Sequence, residues 1–243
     1  PRDAENPMTI RMAGSFRLCV LAFAFAATGA MAQPVSETVT VVHAGRLLDR
    51  PGQQSRGAST VVIRDGKIEA IRDGFADAAS FPGARVVDLR DKFVLPGLID
   101  THVHLDSDRA GQEGLIENLT NGPASFAYEA AVNARKTLAA GFTTVRNLGN
   151  GDGVTLALRD AIAAGKVPGP RIIDAGNGIS TTSGHGDSSL GLSPELAEHA
   201  HQENLCDGAE ACRRAVRMQI RRGVDYIKIM TTGGVNSRIG AGL

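Results

Sequence analysis

Val94-Leu95-Pro96-Gly97-Leu98-Ile99-Asp100-Thr101-His102-Val103-His104-Leu105-Asp106 is an apolar run that ends in two histidines spaced i, i+2. Side chains alternate across a β-strand, so His102 and His104 project to one face while Thr101, Val103 and Leu105 point to the other. Apolar residues at both parities before the histidines predict a strand buried on both faces, as in a parallel sheet covered by helices. In such folds ligands collect at the C-terminal strand ends, where this pair lies. A chelating pair and two solvated strand-end histidines both fit the spacing, and the rest of the chain has to decide between them.

Outward from this stretch, the segment before it reads as β. Val39-Thr40-Val41-Val42 and Thr60-Val61-Val62-Ile63 are β-branched runs, and Arg64-Asp65-Gly66-Lys67 turns into Ile68-Glu69-Ala70-Ile71 as a hairpin. Arg85-Val86-Val87-Asp88-Leu89 is a further strand leading into Phe93-Val94. Residues 33–96 therefore predict a small β domain, a sheet or sandwich that ends at Pro96-Gly97. Beyond His104 helix and strand alternate. Helices are expected over 124–140, 154–164 and 210–222, each followed by a glycine, and strands over 142–146, 171–175 and 224–230. This order implies right-handed crossovers and a parallel sheet. The fold class is α/β: a (β/α)8 TIM-type barrel, preceded by a small β-sandwich segment. A complete barrel takes about 250 residues, and this chain stops at Leu243 shortly after a fourth barrel strand. Residues 97–243 are thus expected to form the first half of a barrel, truncated after about four strands, with its outer strands unpaired.

The 243 residues carry a net charge of zero, 4% aromatics and no Trp. A neutral chain with few stacking platforms argues against nucleic acid as a partner and points to a small molecule. Residues 1–7 lie upstream of Met8 and carry no pattern. Residues 8–32 hold Arg11 and Arg17, the apolar run Leu18 to Ala27, and Ala30-Met31-Ala32, which together read as a signal peptide cut before Gln33. The apolar run is shorter than the ~20 residues that span a bilayer. Export to the periplasm or outside the cell is expected, with no stable membrane insertion after cleavage. In an oxidising compartment Cys206 and Cys212 become a candidate disulfide.

Lys228 lies within the apolar run Val224 to Met230, on the face of Tyr226 and Met230. An ammonium there is costly unless paired, neutralised or carried to the surface. At the end of a barrel strand it would face the mouth that His102 and His104 share. His199-Ala200-His201 repeats the i, i+2 spacing, but Pro194 to Glu198 suggests a helix, on which i and i+2 do not face each other. It reads as a solvated cap. Gly149-Asn150-Gly151-Asp152-Gly153 lacks the Gly-Lys-Ser/Thr of a P-loop and reads as a βα loop.

Taken together in order, the run from Val39 to Asp106, Ala139-Ala140-Gly141-Phe142-Thr143-Thr144-Val145-Arg146, Ser183-Gly184-His185-Gly186-Asp187 and Tyr226-Ile227-Lys228-Ile229-Met230-Thr231-Thr232-Gly233-Gly234-Val235 closely resemble the amidohydrolase superfamily of metal-dependent hydrolases. The branch they resemble is related to imidazolonepropionase and includes Xaa-Pro dipeptidase and carboxypeptidase-like members. The resemblance implies metal ligands at His102, His104 and Lys228, with Lys228 carboxylated to bridge two divalent ions, zinc or else manganese, iron or cobalt. It implies a substrate contact at His185, and an amide, dipeptide or N-acyl amino acid as the small-molecule substrate. A cyclic-amide hydrolase of the imidazolonepropionase type is the alternative within the family, and a non-catalytic fragment or degenerate barrel module is the alternative outside it. The family's further strand-end histidines and its strand-eight aspartate have no counterpart here, so no general acid/base is assigned, and the chain by itself is expected not to be competent. A homo-oligomer is compatible with the sequence.

Overall fold

A computed structural model describes residues 38–109, 111–149, 152–199 and 202–234. The segments 1–7 and 8–32, His201 and the last residues of the chain lie outside the described residues. Among those described, no helix is long and apolar enough to cross a membrane.

The β-branched runs form β1 (Val39–Leu47) and β2 (Ser59–Arg64), which pair antiparallel. Asp65 and Gly66 turn β2 into β3 (Lys67–Asp73) with φ of 49° and 77°. Two successive positive φ values match a two-residue hairpin turn, whose twist suits the flanking strands. β4 (Arg85–Val94) returns parallel to β1, so the order is β3-β2-β1-β4. The β1 register slips between Ala44 and Arg46, where a Cβ on Gly45 would collide with the Arg90 carbonyl. Ala44, Leu47 and Val61 are its buried core. Among the described residues all four strands before Pro96 enter one sheet, and no second layer of the expected sandwich is seen.

A second sheet carries β5 (Leu98–Val103), β6 (Phe142–Asn147) and β7 (Arg171–Asp174), parallel and in sequence order. Helix α1 (Gly111–Thr120), which the sequence reading did not anticipate, and α2 (Pro123–Ala139) link β5 to β6. Pro123 occupies the first turn of α2, where its missing N–H costs nothing, and Gly141 follows the helix at a φ of 97°. Helix α3 (Val154–Ala163) links β6 to β7, and α4 (Pro194–His199) and α5 (Ala209–Arg221) follow. Val145 and Ile172 of the sheet pack on Ala130, Ala134, Val154 and Leu158 of the helices, which fixes one face of the sheet as its core side.

Two expectations need correction. β5 is not buried on both faces: Ile99 is 65% exposed, and among the described residues β5 pairs with β6 alone, at the edge of its sheet. Residues 224–230 bend at Asp225 and Tyr226 and do not extend the ladder. They touch β7 through the Asp225 amide to the Asp174 carbonyl (2.8 Å), and then bridge Ile179 at Ile229. β7 ends at Asp174 and Gly176 turns away at a φ of 60°, so no strand remains alongside to receive them.

Asn147, wholly buried at the end of β6, ties these pieces together. Its Oδ1 accepts the Leu105 amide (3.0 Å), and its Nδ2 donates to Thr155 Oγ1 (3.1 Å) and Asp174 Oδ2 (3.3 Å). Its carbonyl accepts the Ala175 amide and the Tyr226 hydroxyl. Leu at this position removes the side-chain partners, leaves the buried Leu105 N–H unsatisfied and takes one donor from the buried Asp174 carboxylate. Asn147→Leu is expected to cost about 3 kcal/mol in urea unfolding, whereas an exposed position such as Thr143→Ala should change stability by less than about 1 kcal/mol.

Candidate metal centre

Val103 and Leu105 pack toward the helices. Strand alternation therefore sends His102 and His104 to the opposite face, with ring centroids 5.7 Å apart. By the same alternation Arg146 of β6 shares that face. Its Nε donates to the Thr101 carbonyl (2.9 Å), and its guanidinium lies 5.6 Å from the centre of the Tyr226 ring. Ile227 turns inward against Cys206 and Ala215. Half-buried Lys228 lies close enough for its positive charge to act on His102.

The electrostatics favour neutral imidazole. His102 is held below its ordinary pKa of 6.5, first by desolvation and then by the positive charges of Lys228, His104 and Arg146. His104 Nδ1 lies 3.2 Å from the Gly149 carbonyl. A carbonyl only accepts, so Nδ1 carries a proton, and in the neutral ring Nε2 then holds the lone pair that a metal-ligating histidine uses. Tyr226 is committed elsewhere: its hydroxyl donates to the Asn147 carbonyl (2.7 Å), and burial pushes the phenol up to about 12. His102 and His104 are exposed on the open face, and among the described residues no three His, Cys, Asp or Glu side chains form a metal-binding group.

The loops after β6 and β7 surround this face. A cavity of about 810 Å³ is lined by Gly149, which neighbours His104, by Gly178, which neighbours Lys228, and by Met230, Leu115, Leu119 and Leu192. A Cβ on Gly178 would come within 3.0 Å of Lys228 Cγ, so the glycine gives the lysine stem its room. His185 is exposed in the loop after β7, its ring against Gly234, outside the His102–His104–Lys228 grouping. Arg146 and Asn147 escaped the sequence reading, although an arginine inside the strand Phe142 to Asn147 was a signal of the same kind as Lys228. Cys206 and Cys212 form a disulfide with a Cα separation of 4.8 Å.

Residues 93–242 match the Amidohydrolase family, more than half of the chain. The chain belongs to that family. Ochratoxinase of Aspergillus niger is 35% identical over 214 residues, covering 82% of this chain and 43% of that protein. A dihydroorotase of Anaeromyxobacter sp. (strain K) is 37% identical over 108 residues, 44% of this chain and 21% of that one. Among solved structures, a Xaa-Pro dipeptidase with methionine bound in its active site superposes with a TM-score of 0.70 at 35% identity, over 83% of this chain and 49% of the other. This amidohydrolase chain thus spans about half the length of the relatives it matches.

The depressed His102 pKa carries a linkage whose sign is fixed. The unfolded chain binds the proton more readily than the native state, so this contribution to stability is present above about pH 6.5 and is lost as pH falls toward the lowered native value. In the metal-free protein, Lys228→Met is expected to raise the His102 pKa, and Arg146→Gln to raise it by less, as read from the imidazole C–H resonance in an NMR titration.

Proposed function

We propose that the whole protein hydrolyses an amide bond with metal-activated water, acting on a dipeptide or N-acyl amino acid. The observation that carries this reading is the grouping of His102, His104 and Lys228: the two rings lie 5.7 Å apart and the Lys228 charge acts on His102. Two imidazoles, His102 with its pKa lowered and His104 with Nδ1 bonded to the Gly149 carbonyl, are suited to a borderline cation such as zinc, manganese, iron or cobalt. Lys228 suits the same role once carboxylated, since the carbamate replaces a costly ammonium with two oxygen donors. A divalent metal pair bound there would supply an activated hydroxide and polarise the scissile carbonyl.

The chain's own residues do the rest. Gly149 fixes the His104 tautomer, Arg146 clamps the end of β5 through Thr101, and Leu115, Leu119 and Leu192 offer apolar surface to the part of the substrate away from the scissile bond. A cavity of this size suits a linear, bulky amide better than a compact cyclic one, which is the second reading. His185 stands beyond the metal-binding set as a contact for the substrate. We place the protein outside the cytoplasm, on the strength of the signal-like segment 8–32 and the Cys206–Cys212 pair.

Metal analysis of the full-length gene product by plasma mass spectrometry tests this. About two equivalents of divalent metal are expected. His102→Ala or Lys228→Ala should lose metal and lower kcat/KM on a panel of Xaa-Pro dipeptides and N-acyl amino acids by on the order of a thousandfold, with circular dichroism unchanged. A well-folded protein that takes up no divalent metal would overturn the proposal.

A further inference from the structure

Ile179 to Thr182 form a strip that is hydrogen-bonded on both sides. On one side the Ile179 amide donates to the Lys228 carbonyl and the Met230 amide to the Ile179 carbonyl, both at 2.8 Å. On the other side the Ser180 amide donates to the Asn204 carbonyl (3.2 Å) and the Cys206 amide to the Ser180 carbonyl (2.8 Å). Thr182 adds its amide and its hydroxyl to the Asp207 carboxylate, at 3.2 and 2.6 Å. From this strip the chain enters the His185 loop, which Ser180 Oγ steadies by accepting the Gly186 amide (3.2 Å). One backbone strip therefore sets the position of both Lys228 and His185.

The outer side of that strip is bonded to residues 204–207, and within them Cys206 is joined to Cys212 by the disulfide. It ties residue 206 to the first turn of α5, whose own end leads directly into the segment that carries Lys228. Cys206 is buried in one cluster with Ile179 and Ala215, against which Ile227 packs. Cys212 is half-buried and is the more exposed of the two cysteines.

We infer that Cys206 and Cys212 are positioning residues for the candidate metal centre: their disulfide clamps the Ile179 to Thr182 strip, and its reduction releases the His185 loop and Lys228 together. The inference rests on the proposed metal-centre reading for its significance, but not for its geometry. Opening the clamp takes two electrons and two protons from an external dithiol, which becomes a disulfide as Cys206 and Cys212 become thiols. The cross-link closes a short loop, with a sequence separation of 6, so its constraint on the unfolded chain is small and its effect is local.

Hydrogen exchange read by mass spectrometry, on the full-length gene product carrying Cys19→Ser, with and without dithiothreitol, tests this. Reduction is expected to speed exchange about tenfold or more over 179–187 and 226–230 while β1 to β4 keep their protection. Unchanged exchange in those segments would overturn the inference. So would equal acceleration in the β1 to β4 sheet, which would make the bond a general staple. Cys206→Ala with Cys212→Ala should reproduce the local pattern without reductant. Should that pair fail to fold, Thr182→Val, which leaves the cysteines intact, is expected to loosen 182–187 alone, and unchanged exchange there would count against the clamp. Zinc uptake measured on the oxidised and reduced proteins separates the two readings. Binding to neither form would defeat the metal centre, while the exchange pattern still judges the clamp.

Discussion

The structure around the candidate site depends on one buried amide. Asn147 connects the end of β5 through Leu105, the start of α3 through Thr155, the end of β7 through Asp174 and the Lys228 segment through Tyr226. Each partner would otherwise be a desolvated polar group, so the amide gains little net energy per bond but makes every alternative arrangement expensive. The stakes are highest at Asp174, also fully buried, whose carboxyl is pushed above its ordinary pKa by desolvation despite its hydrogen bonds to Gly176, Thr155 and Asn147. Strand ends that would otherwise drift are thereby held at one depth, and the site residues follow.

The site has two layers of control. Charge and desolvation act on the His102 imidazole, whose protonation Lys228 and Arg146 oppose. Backbone acts from behind: Gly149 orients His104, and Ile179 anchors both neighbours of Ile229. The first layer is sensitive to salt because the groups are partly in water, whereas the second is not.

Much of this was readable in the sequence, for physical reasons that differ by element. The Asp65-Gly66 hairpin, α2 with Pro123 and Gly141, and the His102–His104 face follow from local chemistry and periodicity, which need no knowledge of neighbours. Helix α1 was missed because Gly111 and Gly114 are poor helix formers and its buried residues, Gly114 and Glu117, carry no apolar stripe; Ser107 and Arg109 hold Glu117 instead. The run Val224 to Met230 has strand composition but forms only scattered bridges, since pairing is a property of the neighbour and not of the segment. Asn147 was invisible for the same reason: its partners are 42, 8 and 27 residues away.

The bond between His104 and the Gly149 carbonyl has a consequence for how such a site can change over generations. A tautomer fixed by a carboxylate is one codon away from being lost, because any replacement of that side chain removes the acceptor. A main-chain oxygen is present whatever residue is encoded. Random point changes can therefore revise this histidine's proton arrangement only by reshaping the whole turn, and Gly149, at a φ of 152°, leaves few residues able to follow its path. Drift at this position is restricted by backbone conformation, while the outer cavity wall at Leu115, Leu119 and Leu192 is free to diversify.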